Sequence, residues 1–180
     1  IQPVLIAGGK AWYFANKDNN KWKDSLIMQI KNHTYSDKVF ISFGEIDCKK
    51  NGNMLNHAIK QRKDISEICE KTIKDYLNHM ETTLSPIYSK RFYFGVAAPT
   101  RNTELPDELD MKRNAMIKIF NSMLKQEVLS IGSYFLDVYE LTSNRNGENN
   151  ELYMCDKTHL SPKSLCILFE NHLYKPDIYF

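Results

Sequence analysis

The chain has 180 residues, 42% hydrophobic and 26% charged, which suits one globular domain with a core of its own. A net charge of +2, with Lys and Arg scattered, gives no electrostatic case for nucleic acid or an anionic membrane. No apolar run approaches the roughly 18–20 residues needed to span a bilayer. No secretory signal is visible and residue 1 is Ile, so the expectation is a natural start upstream and a cytoplasmic protein. Cys48, Cys69, Cys155 and Cys166 form neither Cys-x-x-Cys nor a zinc spacing, and are expected to be reduced.

In chain order, Pro3 to Gly8 reads as a buried strand ending at glycines, and Trp22 to Lys31 as a short helix. Lys38 to Gly44 is a second strand, β-branched and aromatic. Met54 to Leu84 is polar, with apolar residues near helical spacing at Ile65, Ile68, Ile73, Leu77 and Met80, which predicts one long helix or two. Arg91 to Ala98 is a third strand, stopped by Pro99. Asp107 to Leu129 is a helix with Met111, Ala115, Ile119, Met123 and Leu124 on its apolar face, and Gly132 as its stop. Tyr134 to Leu141 is a fourth strand, and Asn144 to Asn150 a polar loop. Ser161 as N-cap and Pro162 as first helical residue open a last helix running to about Tyr174. The aromatics Trp12, Tyr13 and Phe14 are expected to pack the core. Strands alternating with helices imply an open parallel sheet covered on both faces, with the site beyond the carboxyl ends of the strands.

Three strand-end segments could carry chemistry. In Asp156-Lys157-Thr158-His159, an acid three residues before a histidine can share its loop, orient the imidazole and leave the other ring nitrogen as a general base. The competing reading is a surface loop with an incidental histidine. Gly44-Glu45-Ile46-Asp47 sets two acids after a buried strand; they either bind substrate and hold the loop, or cap a helix. Pro99 to Asn102 ends another strand, where Arg101 either clamps an anionic or sugar hydroxyl group or is a solvated loop residue, with Asn102 beside it. Gly9 closes the first strand. His33, His57, His79 and His172 read as surface residues, and no spacing suggests a metal site.

Together these segments resemble the SGNH (GDSL-like) hydrolase superfamily. Asp156 and His159, followed by Leu160-Ser161-Pro162, match its Asp-x-x-His block before the last helix. Gly44-Glu45-Ile46-Asp47-Cys48 is similar to the third block of a bacterial branch, and the strings AAPTRN and YFLDVYELT fit that branch in order. The resemblance implies a flavodoxin-like three-layer α/β/α sandwich with a parallel sheet over a single domain, residues 1–180. It also implies hydrolysis of acyl esters, such as O-acyl groups of carbohydrates, with Asp156 and His159 as the acid–base pair and no cofactor. Gly9, Gly44, Glu45, Asp47, Arg101 and Asn102 would line the site. The partner implied is a small-molecule or carbohydrate ester; nucleic acid and membrane are not expected, and no oligomeric state follows.

Two departures matter. The family's Gly-Asp-Ser block is absent, and Gly8-Gly9-Lys10 holds no serine, so the first strand and its nucleophile are expected upstream of Ile1. Ile46 stands where the family has an oxyanion-binding Asn, and an Ile side chain donates no hydrogen bond. A missing donor of this kind costs roughly a hundred- to a thousand-fold in rate, so backbone N–H groups such as that of Gly9 would have to serve. The rival reading is a non-catalytic SGNH-like binding or accessory module in surface-polysaccharide metabolism. A nucleotide-binding domain is disfavoured by the absence of a P-loop.

Overall fold

The computed structural model describes residues 6–33, 36–49, 53–101, 104–156 and 159–177. Its elements run α1 (Ala11–Ala15), α2 (Lys21–Asn32), β1 (Lys38–Ile41), α3 (Asn53–Gln61), α4 (Ile65–Leu84), β2 (Lys90–Phe94), α5 (Asp107–Ser130), β3 (Tyr134–Leu136), α6 (Val138–Thr142), α7 (Ser164–Asn171) and β4 (Leu173–Tyr174). The four strands form one sheet in the order β1-β2-β3-β4. The β1–β2 and β2–β3 pairs are parallel and β3–β4 is antiparallel.

The period of two along each strand decides which layer a side chain joins. Ile41, Tyr93 and Phe135 enter the larger core, against Phe14 of α1, Tyr76 and Met80 of α4, and Phe120 and Leu124 of α5. Their strand neighbours Phe92 and Leu136 point the other way, onto Val138 and Leu141 of α6 and Leu168 of α7. Both faces are thus covered, the arrangement that parallel sheets require. Glu81 of α4 ties the layers, its carboxylate accepting from Arg91 Nε at 2.8 Å, the Tyr93 hydroxyl at 2.8 Å and Ser133 Oγ at 3.1 Å.

Several boundaries differ from the sequence expectation. The first half of the expected Pro3–Gly8 strand lies outside the described residues, and Ile6 to Gly8 form a turn rather than a strand, with Gly9 N–H donating to Ile6 O at 3.0 Å. The Met54–Leu84 stretch is two helices, broken at Arg62, whose φ is 52°, and Asp64 caps the second through Ser66 N. The strand from Tyr134 ends at Leu136. Asp137 then accepts from Glu140 N and starts α6, because an Asp at an N-cap satisfies an orphan N–H.

The helical stripe of α5 is displaced. Met111 is 64% exposed, whereas Arg113, Met116, Phe120, Asn121, Leu124 and Val128 are buried. Asn121 is tolerated in the core because its amide accepts from Val96 N–H and donates to Val96 O and Ile117 O. Ser161 is not the cap of the last helix: its carbonyl accepts from Ser164 N–H in a turn, and α7 begins two residues beyond Pro162. Nor does that helix reach Tyr174; Leu173 and Tyr174 pair with β3 as an antiparallel edge strand.

Phe14 is fully buried, as the sequence reading expects of that aromatic cluster, but Tyr13 stacks on Trp22 at 3.7 Å between centroids, away from the sheet. All four cysteines are free thiols, Cys48 and Cys69 buried and Cys155 and Cys166 exposed.

Candidate active site

The carboxyl ends of the parallel strands carry the segments of interest. After β1, residues 44–49 make a single helical turn, with Cys48 N–H donating to Gly44 O and Lys49 N–H to Ile46 O. Gly44 has φ +116°, and a Cβ there would meet the Phe120 ring at 2.7 Å, so only glycine lets the chain turn this tightly over the core. Gly9 faces the same place from the other side: a Cβ on it would meet the Phe43 ring at 2.8 Å. Its N–H is engaged by Ile6 O, which corrects the expectation that it could hold an oxyanion.

The two acids of this turn separate. Glu45 pairs with Lys49 at 2.8 Å and lines the cavity described below. Asp47 is fully buried and turns inward, accepting from Ala11 N–H at 2.8 Å and Trp12 N–H at 3.1 Å. It holds the loop and caps α1, so it is withdrawn from substrate. Burial pushes its carboxyl from the ordinary 3.8 up to about 6, against the pull of the two N–H groups and Lys10.

A carboxyl whose folded pKa is raised favours folding in its protonated form. Its contribution is complete below about pH 3.8 and is lost as pH rises through about 6. Measured by urea unfolding, stability should therefore decline by about 2.5 kcal/mol between pH 4 and pH 7 relative to Asp47→Asn, since each tenfold difference in proton affinity is worth about 1.4 kcal/mol. Parallel profiles for the two proteins would remove this role from Asp47.

At the far end of the chain, residues 154–160 close a short loop through the Met154–Leu160 bridge and Cys155 N–H to His159 O at 2.8 Å. Inside it Asp156 holds His159 twice. Oδ1 accepts the His159 backbone N–H at 2.8 Å, and Oδ2 lies 2.6 Å from the ring Nδ1. This is the geometry of a carboxylate fixing an imidazole tautomer through Nδ1. The hydrogen bond to Asp156, and then its charge, raise the His159 pKa above its ordinary 6.5; Glu45 adds to the rise and Lys49 opposes it. The pair is surface-accessible, with side chains 68% and 53% exposed.

His159 meets Gly44, Glu45 and Ile46 across a cavity of about 440 Å³. A second hollow of about 280 Å³ is lined by Asp156 with Thr100, Asn149 and Glu151. Sequence reading passed over Asn149, whose amide donates to Ala98 O and whose N–H donates to Pro99 O; it docks the polar loop onto the segment that follows β2. Arg113 supports the same segment by donating to Thr100 O at 2.6 Å. Arg101 is drawn to Asp107, 3.2 Å away at the start of α5, with both side chains largely exposed. Asn102, like Lys157 and Thr158, lies outside the described residues. The structure thus brings together Asp156, His159, Gly44 and Glu45 and places Gly9 opposite Phe43, while Asp47 and Arg101 face elsewhere.

No family model and no curated protein matches the chain. Solved structures do. A GDSL-like lipase from Bacteroides thetaiotaomicron superposes with a TM-score of 0.55 at 13% identity, over 81% of this chain and 66% of that one. The fold is that of the SGNH/GDSL-like hydrolases. A Streptococcus pneumonia protein provisionally named a platelet activating factor aligns with a TM-score of 0.49 at 17% identity, over 81% of this chain and 64% of its own. The chain spans just under two thirds of the length of these two solved structures. Among the described residues no helix is long and apolar enough to cross a membrane, and no group of three or more His, Cys, Asp or Glu could hold a metal ion.

Proposed function

We propose that this chain is the acid–base portion of a serine hydrolase of the SGNH type, acting on acyl esters in the cytoplasm. The observation that carries the reading is the doubly held Asp156–His159 pair beside the Gly44 turn. The nucleophile is a serine on a strand outside the 180 residues. His159 takes the serine proton as the oxygen bonds to the ester carbonyl carbon. It then gives that proton to the departing alcohol as the ester C–O bond breaks, leaving an acyl-serine. Water, deprotonated by the same imidazole, releases the acid and restores the serine. Asp156 orients the ring and stabilises its protonated form. With Ile46 unable to donate through its side chain and Gly9 N–H engaged, the oxyanion takes its N–H donors from the serine-bearing segment. An O-acylated carbohydrate is the substrate class we favour, by analogy of fold. The hollow beside Asp156, with Thr100, Asn149 and Glu151 in its lining, offers some hydroxyl-compatible groups to such a ligand.

The 180-residue chain by itself is expected to leave short-chain aryl esters untouched, whereas a longer polypeptide carrying the serine strand hydrolyses them. Robust turnover by the short chain that disappears in Ser42→Ala or Ser161→Ala, with folding intact, would place the nucleophile elsewhere. Ile46 also favours a second reading, a non-catalytic binding module. A longer polypeptide that binds acylated sugar without hydrolysing it would establish that reading instead.

A further inference from the structure

Glu45 differs from the other ion-paired acids of the surface in what it borders. Lysine–acid pairs at helical spacing also occur on α4 and α5, as Lys71–Asp75, Lys74–Glu70 and Lys112–Glu108, and surface pairs of this kind add little to stability. None of those acids borders the cavity that holds His159. Among the described residues Glu45 is the one acid in the lining of that cavity, which contains no Lys or Arg and is walled largely by apolar side chains such as Ile30, Phe43, Ile46 and Met80.

The turn fixes where this charge sits. Gly44 rests against the Phe120 ring and Asp47 is tied to the N–H groups of Ala11 and Trp12, so the turn between them cannot rotate. With Asp47 held inward, Glu45 stays at the cavity. Lys49 follows four residues later on the same face of the turn, its Nζ 2.8 Å from Glu45 Oε1, an oxygen shut off from water. The carboxylate is therefore held in place beside apolar walls, where its field is screened less than in open water. The charges acting on His159 are Asp156 from its own loop, which raises its proton affinity most, then Glu45, which adds to the rise, and Lys49, which opposes it. His33 lines the same cavity.

We propose that Glu45 sets the charge preference of the site, admitting esters that are neutral or cationic around the scissile bond and turning away anionic ones. This rests on the hydrolase reading above. An anionic ester would bring its charge up to both Glu45 and Asp156. The adjoining hollow, with Asp156 and Glu151 in its lining and no Lys or Arg, offers it no counter-ion, and the Lys49 ammonium is already engaged by Glu45. The same carboxylate favours the imidazolium that forms on His159 as the serine attacks, so one charge acts on substrate choice and on the base together.

Selectivity is read in the serine-bearing polypeptide as the ratio of kcat/KM for two isosteric ester pairs. Para-carbamoylphenyl against para-carboxyphenyl acetate puts the charge on the alcohol; phenyl glutaramate against phenyl hydrogen glutarate puts it on the acyl group. Intrinsic reactivity cancels when wild type is compared with Glu45→Gln. In at least one pair the neutral-to-anionic ratio should fall by roughly threefold or more in Glu45→Gln, and the wild-type ratio should shrink as salt is raised to about 1 M. Ratios that are unchanged or higher in both pairs overturn the proposal. Proton NMR titration of His159 in the same polypeptide separates charge from structure. Glu45→Gln and Lys49→Met lose the same ion pair, yet the first should lower the His159 midpoint and the second raise it. Shifts in the same direction would mean that the pair only shapes the turn, which also overturns the proposal. A wild-type polypeptide that cleaves none of the four esters removes the hydrolase reading and the selectivity with it, whereas opposite shifts would still establish the Glu45 charge at His159.

Discussion

Replacing His159 by alanine in the serine-bearing polypeptide should lower kcat for ester hydrolysis by roughly ten-thousand-fold or more, with little change in stability. The size follows from the role. Without a base beside it a serine hydroxyl is a poor nucleophile, and the same imidazole must later protonate the leaving alcohol, so both halves of the cycle fail together. The small structural effect follows from the position: the side chain is 68% exposed, with its ring bonded to Asp156 at the surface. Asp156→Asn should cost less, on the order of a hundredfold to ten-thousandfold, because water can partly solvate an exposed imidazolium. A His159→Ala enzyme that keeps a tenth of its kcat would exclude the imidazole from the proton transfers.

The largest expected loss of stability is at Phe120→Ala, about 3–5 kcal/mol and a Tm lower by roughly 6–20 °C. Phe120 is fully buried in α5, in the core between that helix and the sheet. Removing its ring leaves a cavity that the neighbouring Met116 and Leu124 are too constrained to fill. The same ring forms the platform under Gly44, where a Cβ would already collide with it. Phe120→Ala should therefore also loosen the Gly44–Lys49 turn, and thermal unfolding followed by circular dichroism measures the main effect. A Tm within two degrees of wild type would mean that the core collapses around the site more readily than its packing suggests. Phe120→Leu should recover more than half of the loss.

Much of the scaffold was legible because its signals are local. The apolar and aromatic runs that became β1, β2 and β3 lie within a few residues of their expected starts, α2 and α5 match their expected extents closely, and α4 follows its periodicity. The Asp156–His159 pair was legible for the same reason: three residues of separation within one loop leave few alternatives for a carboxylate and an imidazole.

What escaped depends on contacts distant in the chain, or on polar groups acting where apolar ones are expected. Nothing near Asp47 signals that its carboxylate would be claimed by two amides some 36 residues earlier, whereas Glu45, two residues away, stays at the surface. The buried face of α5 was misplaced because Arg113 and Asn121 sit in it, bonded to Thr100 O and to the Val96 backbone, and a count of apolar residues passes over both. Leu173 and Tyr174 look like the end of a helix and become a strand only because β3 offers an open edge. The hydroxyl of Tyr174 fixes that strand further by donating to Glu140 Oε2 at 2.6 Å.

The central claim, that Asp156 and His159 act as one acid–base unit, is tested most directly by proton NMR titration of the His159 ring in the 180-residue chain and in its Asp156→Asn variant. This measurement needs neither substrate nor nucleophile. The carboxylate bonded to Nδ1 should hold the wild-type midpoint above 6.5, and removing its charge should bring the midpoint down. Superimposable His159 curves in the two proteins would contradict the pairing on which the proposed mechanism rests.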